Sequence, residues 1–157
     1  MMINSTVKRV VSLLPSATEA LILAGGEHLL VGRSHECDYP KSIQHLPVLT
    51  GQKTEFTTSK DVDLQVRQYL SNGDGNSLYT LDIPVLKALK PDLILTQDLC
   101  DVCAIDIMTV ERVAHSMNPR PKVISLNPQS VQDIMANVAE IGEAAALRME
   151  REEAVSL

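Results

Sequence analysis

Tryptophan is absent from this 157-residue chain, and its other aromatics are one Phe and three Tyr. So thin a supply argues against a surface that grips bases or flat ligands on stacked rings. Basic clusters are equally scarce, none being longer than Lys8-Arg9, and the formal net charge is -6. An acidic surface repels phosphate backbones, so no nucleic-acid partner is expected. No apolar run approaches the roughly 20 residues that cross a bilayer, which predicts no membrane insertion. The opening Met1-Met2-Ile3-Asn4-Ser5-Thr6 lacks a basic head, and the apolar run at 10–14 is too short for the centre of a leader. The expected location is therefore the cytoplasm. Cys37, Cys100 and Cys103 are the only cysteines, and they fit reduced thiols or a metal site better than a disulfide framework. The Gly-x-Ser-x-Gly, Gly-x-Gly-x-x-Gly and phosphate-loop patterns are missing, and no carboxylate pair stands out. The expectation is a protein that is not an enzyme.

What is present suits one globular domain: 45% hydrophobic and 22% charged residues. Residues 9–14 (Arg-Val-Val-Ser-Leu-Leu) read as a strand covered on both faces. Pro15-Ser16 stops it, and Ser16 or Thr18 is placed to cap a helix over 18–24, which Gly25-Gly26 ends. A second strand is expected at 29–32 and a third at 46–50, with a helix over 61–70 and a turn-rich break at 71–76. Asp82 is placed to cap a helix over 83–89, and 92–96 (Asp-Leu-Ile-Leu-Thr) reads as a buried strand. A helix over 105–117, a strand over 122–126 and a long helix from Ser130 complete the alternation. In that last helix Val131, Ile134, Val138, Ile141 and Ala145 form an apolar stripe. The predicted fold class is α/β: an open, mostly parallel, Rossmann-like sheet flanked by helices and ending in a long connector helix.

Ligands of such sheets sit beyond the carboxyl ends of the strands. That rule gathers Pro15, Ser16, Arg33, His35, Glu36, Tyr39, Thr50, Gly51, Gln97, Asp98 and Asn127 along one rim as candidate ligand-binding residues. Ser16 offers either a cap or exposed amides that hold an anionic group. Arg33 holds such a group or pairs with Glu36 or Asp38. One histidine and three thiols, His35, Cys37, Cys100 and Cys103, match the donors of a closed zinc site, and Cys-x-x-Cys has a ligand spacing. A buried structural cysteine is the plainer alternative. A redox pair is a further one, because Cys103 precedes a helix, although Asp98 and Asp101 oppose thiolate formation.

The run Arg9 to Glu19 (Arg-Val-Val-Ser-Leu-Leu-Pro-Ser-Ala-Thr-Glu), with Leu30-Val31-Gly32-Arg33 and Cys37-Asp38-Tyr39-Pro40, resembles the opening of the substrate-binding proteins of cobalamin and siderophore importers. Residues 86–97 are similar to the helix and strand before their central cleft, and 34–40 with 97–104 resemble a signal-less branch of cobalamin-binding-like members. The resemblance implies two lobes joined by one long helix, with a small-molecule ligand between them. By it, 1–129 form the amino-terminal lobe, 130–157 begin the connector, and the second lobe is absent or supplied by a partner chain. The implied function is a non-enzymatic binding lobe for cobalamin or a related metal chelate, with His35 able to coordinate the metal. Where relatives grip the corrin with aromatics, the matching loops here carry Glu36 and Gly51 with Tyr39 nearby. Two alternatives stand beside it: a thiol-rich zinc or redox module built on His35, Cys37, Cys100 and Cys103, and a truncated lobe without independent function.

Overall fold

The computed structural model describes residues 7–52, 60, 64, 79–97 and 107–145. Within them four strands form one parallel sheet: β1 (Val10–Ser12), β2 (Leu30–Gly32), β5 (Leu93–Gln97) and β6 (Lys122–Leu126), in the order β2-β1-β5-β6. A separate antiparallel ribbon pairs β3 (Thr50–Gln52) with β4 (Tyr79–Leu81). The α-helices are α1 (Pro15–Leu23), α2 (Ile83–Leu89), α3 (Ile107–Ser116) and α4 (Val131–Ala144). The predicted α/β class and the open, mostly parallel sheet are observed.

Strand periodicity explains how both faces of the sheet are covered. Side chains alternate between faces along a strand, and neighbouring residues accordingly join different cores. Val10, Leu93, Leu95, Ile124 and Leu126 pack with Ala17, Ala20 and Leu21 of α1 and Val138 and Ile141 of α4. Val11 and Ile94 face the other way, onto Leu86 of α2 and Val110, Val113 and Ala114 of α3. A strand sandwiched like this has no polar face, which is why Leu93-Ile94-Leu95 reads as an unbroken apolar run.

Helix boundaries follow local chemistry, with one correction. Neither Ser16 nor Thr18 caps α1; Leu14 occupies the cap position with no side-chain bond, and Pro15 takes the first helical turn. Proline is preset for that position and lacks an N–H that would otherwise want a partner. The helix therefore starts three residues before the expected one. It ends as expected: Gly25 adopts a φ of 87°, and the amides of Gly25 and Gly26 bond to Ile22 and Leu21 carbonyls at 2.9 Å each. Asp82 caps α2 by accepting from the Val85 amide at 3.1 Å. Ser130 likewise accepts from Asp133 at the start of α4.

The strand expected at 46–50 begins only at Thr50. Residues 47–49 still run beside β2, joined by Arg33 N–H to the Pro47 carbonyl at 3.0 Å and Leu49 N–H to the Arg33 carbonyl at 2.9 Å. Proline at 47 has no donor to extend that ladder. The apolar stripe of α4 is only partly buried: Val138, Ile141 and Ala145 lie in the core, whereas Val131 and Ile134 are exposed. The expected helix over 61–70, apart from Leu64, which is helical, the turn at 71–76 and the continuation beyond 145 lie outside the described residues.

Gly32 is where β2 meets its cover. A Cβ there would stand 2.8 Å from both Leu49 Cδ1 and Leu89 Cδ1, and Leu49 is fully buried. Overpacking of this kind costs about 1–3 kcal/mol. The substitution Gly32→Ala should lower the free energy of urea unfolding by that amount, while Gly51→Ala, against a single hydroxyl at 3.1 Å, should cost less.

Candidate functional site

Because the four strands are parallel, their carboxyl ends open on one side. The chain leaves β1 into Pro15 and Ser16, β2 into Arg33 to Tyr39, β5 at Gln97 and β6 at Asn127. Ser16 and Asn127 are exposed, and Pro15 and Gln97 are half-buried. Asn127 Oδ1 accepts from Gln129 Nε2 at 2.9 Å. Asp98, Cys100 and Cys103 lie outside the described residues.

The loop after β2 is held by its own arginine. The Arg33 guanidinium donates to the carbonyls of Cys37 at 3.1 Å, Gln44 at 2.8 Å and Ser34 at 3.4 Å, and its buried Nε has no partner. Among the described residues it pairs with neither Glu36 nor Asp38, contrary to expectation. The loop curls back so that its carbonyls, and not its carboxylates, face the cation; both acids are exposed.

This curl also sends Cys37 inward. Its side chain is 1% exposed within the apolar core, and its Sγ lies 3.1 Å from Thr18 Oγ1. Thr18 Oγ1 in turn sits 2.8 Å from Ser12 Oγ and 3.2 Å from the Leu14 carbonyl. Burial pushes the thiol pKa up, with the Thr18 hydrogen bond pulling the other way. A protonated, enclosed thiol is a poor metal ligand and a poor nucleophile. Among the described residues no three His, Cys, Asp or Glu side chains converge as a metal-ligand set.

His35 takes the opposite course and stays at the rim. Its main-chain N–H donates to Thr50 Oγ1 at 3.0 Å, and its Nδ1 lies 2.7 Å from the same oxygen. The Thr50 hydroxyl donates to Ser34 Oγ at 3.1 Å, and Ser34 Oγ accepts from the Glu36 amide at 3.1 Å. His35 Nε2 is buried, has no hydrogen-bond partner and lies 3.9 Å from Glu36 Oε1. Tyr79 from β4 completes the group: its hydroxyl donates to Glu36 Oε1 at 3.4 Å, and its ring centroid is 5.5 Å from that of His35. The structure thus brings His35, Glu36 and Thr50 together, with Gly51 next in β3. It leaves Cys37 in the core and Tyr39 exposed to solvent.

Ser34 and Tyr79 were missed in the sequence. Ser34 is buried and polar, a burial no pattern announces. Tyr79-Thr80-Leu81 carries strand-forming residues straight after a turn-rich stretch, a signal for a ribbon partner of Thr50-Gly51-Gln52. A cavity of about 580 Å³ elsewhere, lined by Ile22, Gly25, His28, Ile43 and His45, opens at the carboxyl end of α1, away from this rim.

No protein-family model matches the sequence, and no curated protein matches it either. Solved structures do. The periplasmic vitamin B12 binding protein BtuF of Vibrio cholerae superposes with a TM-score of 0.62 at 19% identity, over 89% of this chain and 42% of that one. A periplasmic heme binding protein from Pseudomonas aeruginosa gives 0.60 at 18%, over 90% and 39%. CeuE of Helicobacter pylori, solved with Ni(II) bound, gives 0.56 at 15%, over 94% and 40%. The chain has the fold of these periplasmic binding proteins. It spans about two fifths of their length.

The same comparison overturns the cytoplasmic location. The structural neighbours are periplasmic proteins, and the cytoplasmic expectation does not stand against them. The physical reason is that a leader is a removable address and no part of the fold, so the composition of residues 1–14 carries no weight about location. Among the described residues no helix is long and apolar enough to cross a membrane.

The raised Cys37 pKa has a stability consequence. The neutral buried thiol contributes fully below the ordinary thiol range of about 8.5, and this contribution declines as pH rises through the raised folded value. Denaturation midpoints measured at increasing alkaline pH should fall, and the fall should be shallower in Cys37→Ala.

Proposed function

We propose that the chain is a non-enzymatic binding lobe for a metal-chelate cofactor, cobalamin-like or heme-like, taken up at the rim formed by the loops after β1, β2, β5 and β6. The observation that carries this reading is the convergence of His35, Glu36, Thr50 and Tyr79 at the carboxyl edge of the sheet, with an unsatisfied imidazole nitrogen among them. Neighbours sharing the fold are described as binding vitamin B12, heme or Ni(II), which supports a metal-containing ligand in general. An imidazole held by its Nδ1 presents Nε2 as a ligand to a metal centre.

Pro15, Ser16, Arg33, Tyr39, Gly51, Gln97, Asp98 and Asn127 are the further contacts this reading assigns to the ligand. Arg33 would act indirectly, by shaping the loop. Residues 1–129 form the lobe, and 130–157 begin the connector to a second lobe, in this chain or a partner, that closes over the ligand. The exposed Val131 and Ile134 on α4 are consistent with such a surface. Zinc or redox chemistry on Cys37 is disfavoured by its burial and raised pKa.

Absorbance titration of the folded chain with aquocobalamin and with hemin tests the proposal. One of the two should bind saturably at one per chain. His35→Ala should weaken that binding at least about fivefold, roughly 1 kcal/mol, whereas Lys122→Ala at the opposite ends of the strands should leave it unchanged. Failure of the wild-type chain to take up either ligand, with its circular dichroism intact, contradicts it.

A further inference from the structure

The hydrogen bonds around Thr50 favour the His35 tautomer with its ring proton on Nδ1. A hydroxyl has one proton, and that of Thr50 goes to Ser34 Oγ, 3.1 Å away. Its oxygen therefore accepts from both His35 groups, the main-chain N–H at 3.0 Å and Nδ1 at 2.7 Å. With the ring proton on Nδ1, a neutral imidazole carries a bare lone pair on Nε2. That atom is buried, has no hydrogen-bond partner and faces Glu36 Oε1 across 3.9 Å. Against the same carboxylate oxygen stands the Tyr79 hydroxyl at 3.4 Å.

A lone pair directed at a carboxylate with no proton between them is repulsive, and a cation between them makes the arrangement attractive. We propose that His35 Nε2, Glu36 and Tyr79 form a site that binds a divalent transition-metal ion directly, without a chelator. The donors are one imidazole nitrogen, carboxylate oxygen and a phenol, a set that suits borderline ions such as Zn2+ and Co2+. The Cys37 thiol takes no part, because it is turned into the core. The Nδ1 to Thr50 bond is the outer contact that orients a metal-bound histidine. Bonds of about 2.1 Å in tetrahedral geometry need Nε2 and the carboxylate oxygen about 3.4 Å apart. The gap of 3.9 Å closes to this by a small swing of Glu36, whose side chain is 48% exposed. Water fills the remaining positions.

This site rests on the rim assembly and is independent of whether a corrinoid or heme binds there. Co2+ titration of the whole chain provides the test, read by calorimetry and by visible absorption. One ion per chain should bind with the visible d–d bands of tetrahedral Co2+ and no thiolate charge-transfer band. Affinity should drop at least tenfold in His35→Ala and severalfold in Glu36→Gln, a variant whose exposed side chain leaves folding intact. Unchanged affinity in Glu36→Gln and His35→Ala, or a strong thiolate band, overturns the site. Uptake of hemin or aquocobalamin without uptake of Co2+ overturns this inference alone; Co2+ uptake without either chelate supports it and sinks the chelate reading.

Discussion

The rim of this protein hangs on the hydroxyl of Thr50. It accepts from the His35 backbone, meets the His35 ring and donates to Ser34, whose own hydroxyl holds the Glu36 amide. That oxygen ties β3 to the loop that leaves β2, and Tyr79 of β4 adds a bond to Glu36. Without that tie the imidazole would be one more mobile surface side chain, and Tyr79, which arrives on the partner strand, would have nothing fixed to approach. Buried and fully satisfied polar networks are stiff, since breaking any one bond strands a polar group in a poor solvent. Here the stiffness serves to leave one atom, His35 Nε2, unsatisfied.

The sheet supplies the platform. β1 lies between β2 and β5, all parallel, so the chain exits each strand in the same direction and the loops collect at one edge. Two apolar cores, one on either face, hold that platform, and the loop after β2 is divided between core and rim within three residues. Cys37 goes inward to Thr18 and the α1 core; His35 stays outward against Thr50. The Arg33 guanidinium, bonded to three loop carbonyls, enforces the curl that separates them. A histidine and a cysteine two residues apart thus end in different environments, and the sulfur is lost to metal chemistry.

Fold class and the four strands of the parallel sheet were legible because they rest on strong local signals. Leu93-Ile94-Leu95 declares a two-sided strand, Gly25-Gly26 and Asp82 punctuate helices, and the carboxyl-edge rule needs only the alternation. Two things escaped. The start of α1 was misplaced because Ser16 looks like a cap, while proline at the first helical position makes the side-chain cap unnecessary. The His35–Thr50–Tyr79 group was only half seen, since it joins residues 15 and 29 apart through a ribbon whose second strand, three residues long, carries no periodicity to read. The location was misjudged for a different reason: it depends on a segment that carries no folding information.

The direct test of this account is the protonation of one ring. Long-range nitrogen–proton NMR of the 15N-histidine-labelled chain at neutral pH reports which nitrogen of His35 bears the proton. A proton on Nδ1 and a bare Nε2 is the predicted result, with the tautomer preference lost in Thr50→Val. A proton resident on Nε2 in the wild-type chain would contradict it, because the buried nitrogen facing Glu36 would then be a donor and no longer a ligand.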